Sequence, residues 1–397
     1  MTFATDPSTN QRIADFFNIT IGQHLRRSEQ RESFATYAMG LLSDGERKSV
    51  EPIAERVSGD EDETRRCHDR LSHFLREGAW SDRCVRLAGA RYAVAEMRKQ
   101  DPVTVSIIDD TGFIKQGKHS VGVQRQYTGS VGKVANCQIG VSLCVSNRRE
   151  QLPIDFELYV PEKWADDPAL RKETRVPNEI VFKTKPELAL DMIRRAKTDG
   201  LLGEILLADS GYGDSWAFRA SLRELGLEFA VAIKSTTRLW LLGPNDEHQQ
   251  IFSAGNLGTS LGSKAFRLMT WRTGGKGKLS SRFCFRRVKP VLGEGEPEDK
   301  EPLWLVMEWL EGESKPTKFI LTTLPRRMKK KEIIRIIKER WRTEIMYEEL
   351  KEELGLDHFE GRSFTGWHHH ISVVMCCYAF VIVERMRHFS PSAKRFA

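Results

Sequence analysis

The spacing of apolar positions changes twice along the chain. Between residues 31 and 100, "RESFATYAMGLLSDGERKSVEPIAERV" and "DETRRCHDRLSHFLREGAWSDRCVRLAGARYAVAEMRKQ" repeat apolar residues every three to four positions, with few β-branched runs, which predicts helices. The interruptions are "SDGE" and "SGDEDE". Asp62 and Glu63 suit the start of the later helix, where acids meet the positive end of the helix dipole. Short helices joined by turns fit a helix-turn-helix-like DNA-binding unit and a plain helical bundle equally well.

From Pro102 the period shortens towards two. "VTVSIID", "NCQIGVSLCVSN" and "LPIDFELYVP" read as strands, and "PELALDMIRRAKTDG" as a helix with Pro near its start and Gly after its end. "EILLAD" (strand), "GDSWAFRASLRELG" (helix) and "EFAVAIK" (strand) follow. Three strands in succession suit antiparallel hairpins, and the later alternation suits parallel strands with crossover helices. The expectation is an α/β fold with a mixed sheet and helices on its faces. Residues 235–325 hold short β-like runs ("AFRLMTW", "SRFCFRRVK", "LWLVMEWLEG", "KFILTTL") between turn-rich stretches, a β-rich insertion before a helix expected over 329–355. The apolar run "ISVVMCCYAFVIV" has 13 residues. A membrane span needs about 20, so this run predicts a buried helix. The expected division is a helical N-terminal domain (1–100), the first part of a core (101–234), the insertion (235–325), the end of the core (326–385) and a tail (386–397).

Composition adds modest constraints. The chain has 397 residues, 40% of them hydrophobic, enough for two or three domains. Its start, "MTFATDPSTNQRIADFF", is mixed and polar rather than signal-like. Seven scattered cysteines, none in a C-x-x-C pair, fit a reducing cytoplasm. The net charge is +7, and its distribution matters more. Residues 326–342 carry nine Lys or Arg and two Glu, whereas 344–360 carry seven acids and one Lys. This switch suits a polyanion-gripping surface beside a cation-holding site, or equally a long solvated helix.

The candidate chemistry begins at "IIDDTGFIKQGKHS", residues 107–120. From Gly112 it reads G-x-x-x-x-G-K, yet His119 stands where a P-loop needs Ser or Thr, and the following Gly- and β-branched-rich residues will not open a helix. The glycines predict a flexible loop carrying Lys115, Lys118, His119 and Arg125. The informative part is Asp109 and Asp110, at the end of an apolar strand. Asp209 ends "EILLAD" in the same way. A charge at a buried strand end is costly unless paired. A turn role for the first pair, and a helix cap for Asp209, stand beside a metal-binding role. On the 329–355 helix, Arg340, Glu344 and Lys351 fall within about 40° of one another and share a face. Ile334, Trp341, Ile345 and Leu350 take the other. The three could also be a row of intrahelical ion pairs. His368 to His370 with His358 lack ligand spacing for zinc, since adjacent histidines on a helix diverge. Cys376 and Cys377 read as core thiols, and the nine tryptophans as mostly core, with one a candidate for stacking on a flipped base.

Taken together, "IIDDTG", "LLADSGYGD" and "RWRTEIMYEELK" in this order of elements resemble the DDE insertion-sequence transposases with a ribonuclease-H-like core. Arg340, Glu344 and Lys351 match a Tyr-x2-Arg-x3-Glu-x6-Lys signature of one branch, with Ile337 at the Tyr position. "GKHSVGVQRQYTGSVGKVANCQIGVSL", "GLDHFEGRSFTGWHHH" and the β-rich insertion are similar to that branch too. The resemblance implies that Asp109, Asp209 and Glu344 are catalytic and hold two Mg²⁺ ions, with Mn²⁺ able to substitute. Asp110 is the alternative first ligand, because alternate strand residues face opposite ways. It implies cleavage and joining of DNA by two-metal phosphoryl transfer without ATP. Arg340, Lys351, Lys118 and Arg125 would contact DNA. The implied partners are double-stranded DNA (terminal inverted repeats and target) and a second copy in a synaptic homodimer, in the bacterial cytoplasm at the nucleoid and with no membrane. A nuclease or resolvase of the same fold, and a DNA-binding regulator without catalysis, are the alternatives.

Overall fold

The computed structural model describes residues 7–274, 277–293, 295–297 and 301–388. The chain opens with helices α1 (Pro7–Asp15), α2 (Ser28–Leu42), α3 (Val50–Val57), α4 (Glu61–Arg76) and α5 (Asp82–Gln100). Then come β1 (Val105–Ile114), β2 (Gln124–Thr128), β3 (Lys133–Ser146), β4 (Gln151–Tyr159), α6 (Glu162–Ala165), α7 (Pro168–Thr174) and α8 (Lys185–Thr198). They are followed by β5 (Ile205–Ala208), α9 (Ser210–Gly213), α10 (Trp216–Glu224), β6 (Glu228–Ile233), β7 (Arg238–Leu242), β8 (His248–Ser253) and α11 (Ala254–Ser260). The rest comprises β9 (Arg267–Gly274), β10 (Gly277–Leu292), β11 (Glu296–Pro297), β12 (Leu303–Trp309), β13 (Lys318–Thr322), α12 (Lys330–Lys338), α13 (Arg342–Glu348) and α14 (Phe364–His388). Of the tail expected over 386–397, the part from 389 lies outside the described residues.

Two compact units result. Of the described residues, one takes in those up to Val103, Asp109–Leu202 and those from Arg342 onward; the other takes in Thr104–Ile108 and those between Gly203 and Trp341.

In the first unit, α14 is the hub, packed by α5, α2, α4 and β4. It is long and apolar enough to cross a membrane by length and composition, but its apolar window is wholly buried inside the protein. Local chemistry sets the helix ends around it. Asp60 Oδ1 accepts from Glu63 N at 2.8 Å and caps α4, and Ser81 Oγ accepts from Cys84 N at 3.2 Å and caps α5. The helical stretch expected from Asp62 to Gln100 is therefore two helices. Between them Trp80 turns back and donates from Nε1 to the Phe74 carbonyl at 3.1 Å. A Cβ at Gly78 would collide with that carbonyl and the Trp80 ring, so only glycine fits.

The histidines of α14 diverge, as adjacent residues on a helix must. His368 faces Glu157, His369 stacks on Trp80 with 3.7 Å between ring centroids, and His370 Nδ1 meets the Tyr37 hydroxyl at 2.9 Å. Burial pushes the His370 imidazole down to about 3 and keeps it neutral. Tyr37→Phe leaves Nδ1 buried without its donor and is expected to cost about 1–3 kcal/mol in urea unfolding; an unchanged midpoint would contradict that pairing.

A buried ionic cluster ties α5 to β4. Arg86, 3% exposed, bonds Asp82 and reaches Asp155 Oδ1 at 3.3 Å and Glu157 Oε1 at 3.7 Å. Arg195 of α8 closes on the same two β4 acids at 2.7 and 2.6 Å.

The second unit is a mixed sheet. The first part of β1 (105–108), β5 and β6 are parallel neighbours. Their apolar residues are almost continuously buried, as a parallel sheet covered on both faces requires. Beyond β6 the pairing is antiparallel through β13, β12, β10, β7 and β8 in that order, so the β-rich stretch extends the β6 edge. Helix α9 packs on β5 and β6, α10 on β6, and α12 on β9.

Candidate active site

In the second unit, β1 and β5 run parallel with Ile108 level with Ala208. The residues that follow on the two strands are Asp109 and Asp209. Four buried residues lead into Asp109 and three into Asp209, and both acids are half-buried. Asp209 is a helix cap: its Oδ1 accepts from Gly211 N at 2.8 Å at the start of α9. A cap uses one carboxylate lone pair and leaves further acceptor capacity on the two oxygens.

Asp109 and Asp110 lie in the first unit and have different surroundings. Asp110 Oδ2 accepts from Lys185 Nζ of α8 at 3.0 Å. Asp109 Oδ1 accepts from Asp110 N at 2.9 Å. Burial first and the Asp109 carboxylate second raise the Tyr347 hydroxyl well above its usual range, with Asp110 the weakest contributor. Cys144, pushed up to about 12 chiefly by burial, also feels Asp109. Asp110 is thus paired with α8, and of the two charges that of Asp109 is felt more strongly at Tyr347 on α13.

The helix expected over 329–355 is not continuous. It consists of α12, a 3₁₀ turn (Glu339–Trp341), α13 and a π segment (Glu349–Glu353). A 3₁₀ turn advances about 120° per residue, so the uniform 100° spacing that put Arg340, Glu344 and Lys351 on one face does not apply across it. Arg340 lies in the 3₁₀ turn and is half-buried, Glu344 is exposed in the first turn of α13, and Lys351 lies in the π segment. The buried side of α13 is Thr343, Met346, Tyr347 and Leu350, whereas Ile345, expected inside, is 41% exposed.

That buried side fixes α13 and the π segment on their neighbours. Thr343 Oγ1 accepts from Gln151 Nε2 of β4 at 2.7 Å. Arg342 donates to the Arg148 carbonyl at 2.7 Å, and the Tyr347 and Ser142 hydroxyls pair at 2.5 Å. Lys351 Nζ donates to the Gly112 carbonyl of β1 at 2.9 Å, and burial lowers its pKa. Glu349 accepts from the Tyr378 hydroxyl at 2.6 Å and pairs with Arg385, both of α14. Lys351 thus joins the Glu344 segment to the Asp109 strand three residues past that acid. Sequence reasoning missed Tyr347, Thr343 and Arg342 as supports. The signal was present, because 343, 346, 347 and 350 form an i, i+3, i+4, i+7 stripe.

The other candidates for DNA contact are exposed. Lys118 is in the bend after β1, and Arg125 is on β2, so the loop expected there is partly a strand. Among the described residues, no three His, Cys, Asp or Glu side chains are gathered into a cluster that could hold a metal ion. Asp109, Asp209 and Glu344 supply oxygen donors only, a set that fits a hard divalent ion such as Mg²⁺ or Mn²⁺ and not zinc.

Residues 20–277, a span containing Asp109 and Asp209, match the family model described as DDE superfamily endonuclease. Residues 183–380, containing Asp209 and Glu344, match the transposase DDE domain. The chain is 31% identical over 205 residues to a probable transposase for insertion sequence element IS701 from Microchaete diplosiphon, an alignment covering 51% of this chain and 49% of that protein. The mixed sheet with helices on its faces is consistent with a ribonuclease-H-like fold. With more than half of its length matched, this chain belongs to the DDE endonuclease and transposase superfamily.

Proposed function

We propose that this protein is a DNA transposase that cleaves transposon ends and joins them to target DNA, with Asp109, Asp209 and Glu344 as its catalytic acids. The observation that carries this reading is the level pair of parallel segments, Ile108 within β1 beside Ala208 at the end of β5, each followed by an aspartate. The Asp109 charge also acts on Tyr347, which belongs to the helix of Glu344. The three carboxylates would hold divalent cations, Mg²⁺ or Mn²⁺. Bound there, two such ions would activate water at neutral pH and stabilise the leaving 3′ oxygen. The chain's own contribution is to orient the carboxylates. Asp109 is fixed by its strand, Asp209 by its cap, and Glu344 by the anchors at Thr343, Tyr347 and Lys351. The freed 3′-hydroxyl then attacks a phosphodiester of the target, exchanging one P–O bond for another, so no ATP is needed.

Arg340 and Lys351 belong to the part of the chain that carries the Arg-Glu-Lys spacing, and we propose contacts from both to phosphates near the cleaved bond. For Lys351 this requires exchange of its bond to Gly112. Lys118 and Arg125 would add sequence-independent grip that weakens as salt rises. The helices before Pro102 are proposed as further DNA contacts, 235–325 as an insertion in the core, and the active assembly as a homodimer on paired ends.

The test is an in vitro reaction with DNA carrying the sequences that flank the coding region, Mg²⁺ and a target plasmid. Joined products, with affinity falling linearly against log salt, are expected. Cleavage without joining would replace the transposase reading with a nuclease or resolvase. Binding without cleavage would leave only the regulator.

A further inference from the structure

Between Asp110 and Glu150 the chain carries no acid and six basic residues, Lys115, Lys118, Arg125, Lys133, Arg148 and Arg149. Within this stretch β2 and the first residues of β3 form a two-stranded ribbon in register Arg125 with Asn136, Tyr127 with Val134, and Thr128 with Lys133. Arg125, Tyr127 and Val134 therefore share one face, since alternate residues of a strand and their cross-strand partners lie on the same side. That face is uncovered: Tyr127 is 64% and Val134 51% exposed, with Val131 in the turn at 43%. Lys118 and Arg125 are exposed on this side, and Lys133, level with Thr128, is exposed at the ribbon's edge from the other face.

The ribbon is firmly placed. Gly112 N donates to Ser130 Oγ at 3.2 Å, and Ser130 pairs with Thr128 Oγ1 at 2.7 Å. A Cβ at Gly112 would collide with Thr128, so this close approach needs glycine. Asn136 Nδ2 donates to the Lys115 and Gly117 carbonyls at 2.7 and 2.9 Å, tying the bend that carries Lys118 to the ribbon. Trp164 Nε1 holds the ribbon's base through the Val123 carbonyl at 2.9 Å. The arm is thus pinned to β1 three residues from Asp109.

We infer that this ribbon is a DNA-reading arm that lies in the major groove of the duplex beside the cleavage position. Arg125 and Tyr127 face base edges, and Lys118 and Lys133 sit on the flanking phosphates. This rests on the proposed function and adds to it the surface that recognises the substrate. The major groove admits a two-stranded ribbon, an arginine there reads guanine N7 and O6, and an apolar side chain reads the thymine methyl. Apolar contacts ringed by cations, with no acid in the segment, match a duplex better than a protein surface.

The experiment is dimethyl sulfate protection of guanine N7, with affinity measured on duplexes tiled across the DNA flanking the coding region and on a mixed-sequence duplex of equal length. The full-length protein should protect guanines next to its cleavage position. Arg125→Ala and Tyr127→Ala should lose that protection and bind the protected duplex about tenfold more weakly, with a smaller loss on the mixed sequence. Tyr127→Phe, which keeps the ring, should behave as wild type, and matching thermal unfolding would show that the variants are folded. Unaltered protection in both alanine variants overturns the arm, as does a change in the sedimentation of the DNA-free protein without any change in protection, which would make the face a contact between copies. Wild-type protein that binds no duplex at low salt overturns the transposase reading and the arm with it. Cleavage that persists in the presence of unaltered protection overturns the arm alone.

Discussion

Asp109→Asn lowers the single-turnover rate of DNA cleavage by about a thousandfold or more, some 4 kcal/mol of transition-state stabilisation, while Asp110→Asn keeps most of it. The contrast follows from the two environments: Asp110 is paired with Lys185, whereas the Asp109 charge is the one felt more strongly at Tyr347, on the helix of Glu344. Asparagine is the informative replacement because it keeps the shape and hydrogen-bonding oxygen but removes the charge that would hold a cation. The same reasoning applies at Asp209. Asn caps helices about as well as Asp, so Asp209→Asn should keep α9 and duplex affinity while losing cleavage. Asp209→Ala should lose about 1 kcal/mol of stability as well. A large loss for Asp110→Asn with a mild one for Asp109→Asn would exchange the two roles. An Asp209→Asn protein that cleaves normally would reduce that residue to its cap.

Arg86→Met is the second large effect, and it is structural. The substitution roughly preserves volume but takes from Asp82 its guanidinium partner and leaves Asp155 and Glu157 to Arg195 and His368, at an expected cost of about 3–5 kcal/mol in urea unfolding. Its pH dependence identifies the cause. Burial works against the charged form of Asp82, yet the Arg86 guanidinium prevails and holds the carboxyl at about 2, below the ordinary 3.8. Burial likewise opposes ionisation of Glu157, but His368, Arg86 and Arg195 hold it at about 2, against an ordinary 4.5. Both folded values are depressed. Their contribution to stability is therefore complete above about pH 4.5 and is lost as pH falls towards 2. Wild type should lose stability steeply across that window, and Arg86→Met much less. Parallel acid profiles for the two proteins would show that the cluster does not contribute in this way.

How much of this could be read in advance varies from residue to residue. Asp109 and Asp209 were legible because a mostly apolar run leading into a charge is unusual outside a site; the strand expected to end at Asp109 and Asp110 nevertheless runs on to Ile114, so only Asp209 follows a strand's end. The register that sets Ile108 beside Ala208 was not legible, because parallel pairing joins residues a hundred positions apart. Strand β2 was read as loop since "QRQYT" is mostly polar; its apolar members face solvent rather than a core, which is also why it is a candidate for recognition. The break in the Glu344 helix left no mark in composition. The continuous charged pattern of 329–355 conceals a 3₁₀ turn and a π segment, whose causes are tertiary: the Tyr347, Lys351 and Glu349 anchors draw different turns towards β3, β1 and α14. The Arg86 cluster was invisible for the same reason, its members coming from α5, β4 and α8. The buried helix α14 was legible, because apolar residues on every side of a helix leave none to face water.

The central claim is that Asp109, Asp209 and Glu344 act as one cation-holding set. Anomalous scattering from Mn²⁺ in crystals of the protein bound to its end DNA tests it most directly. The expected result is manganese peaks ligated by carboxylate oxygens of Asp109, Asp209 and Glu344, lost in Asp109→Asn, with Asp110 still on Lys185. Manganese held by Asp110, or bound without Asp209 or Glu344, would contradict the assignment.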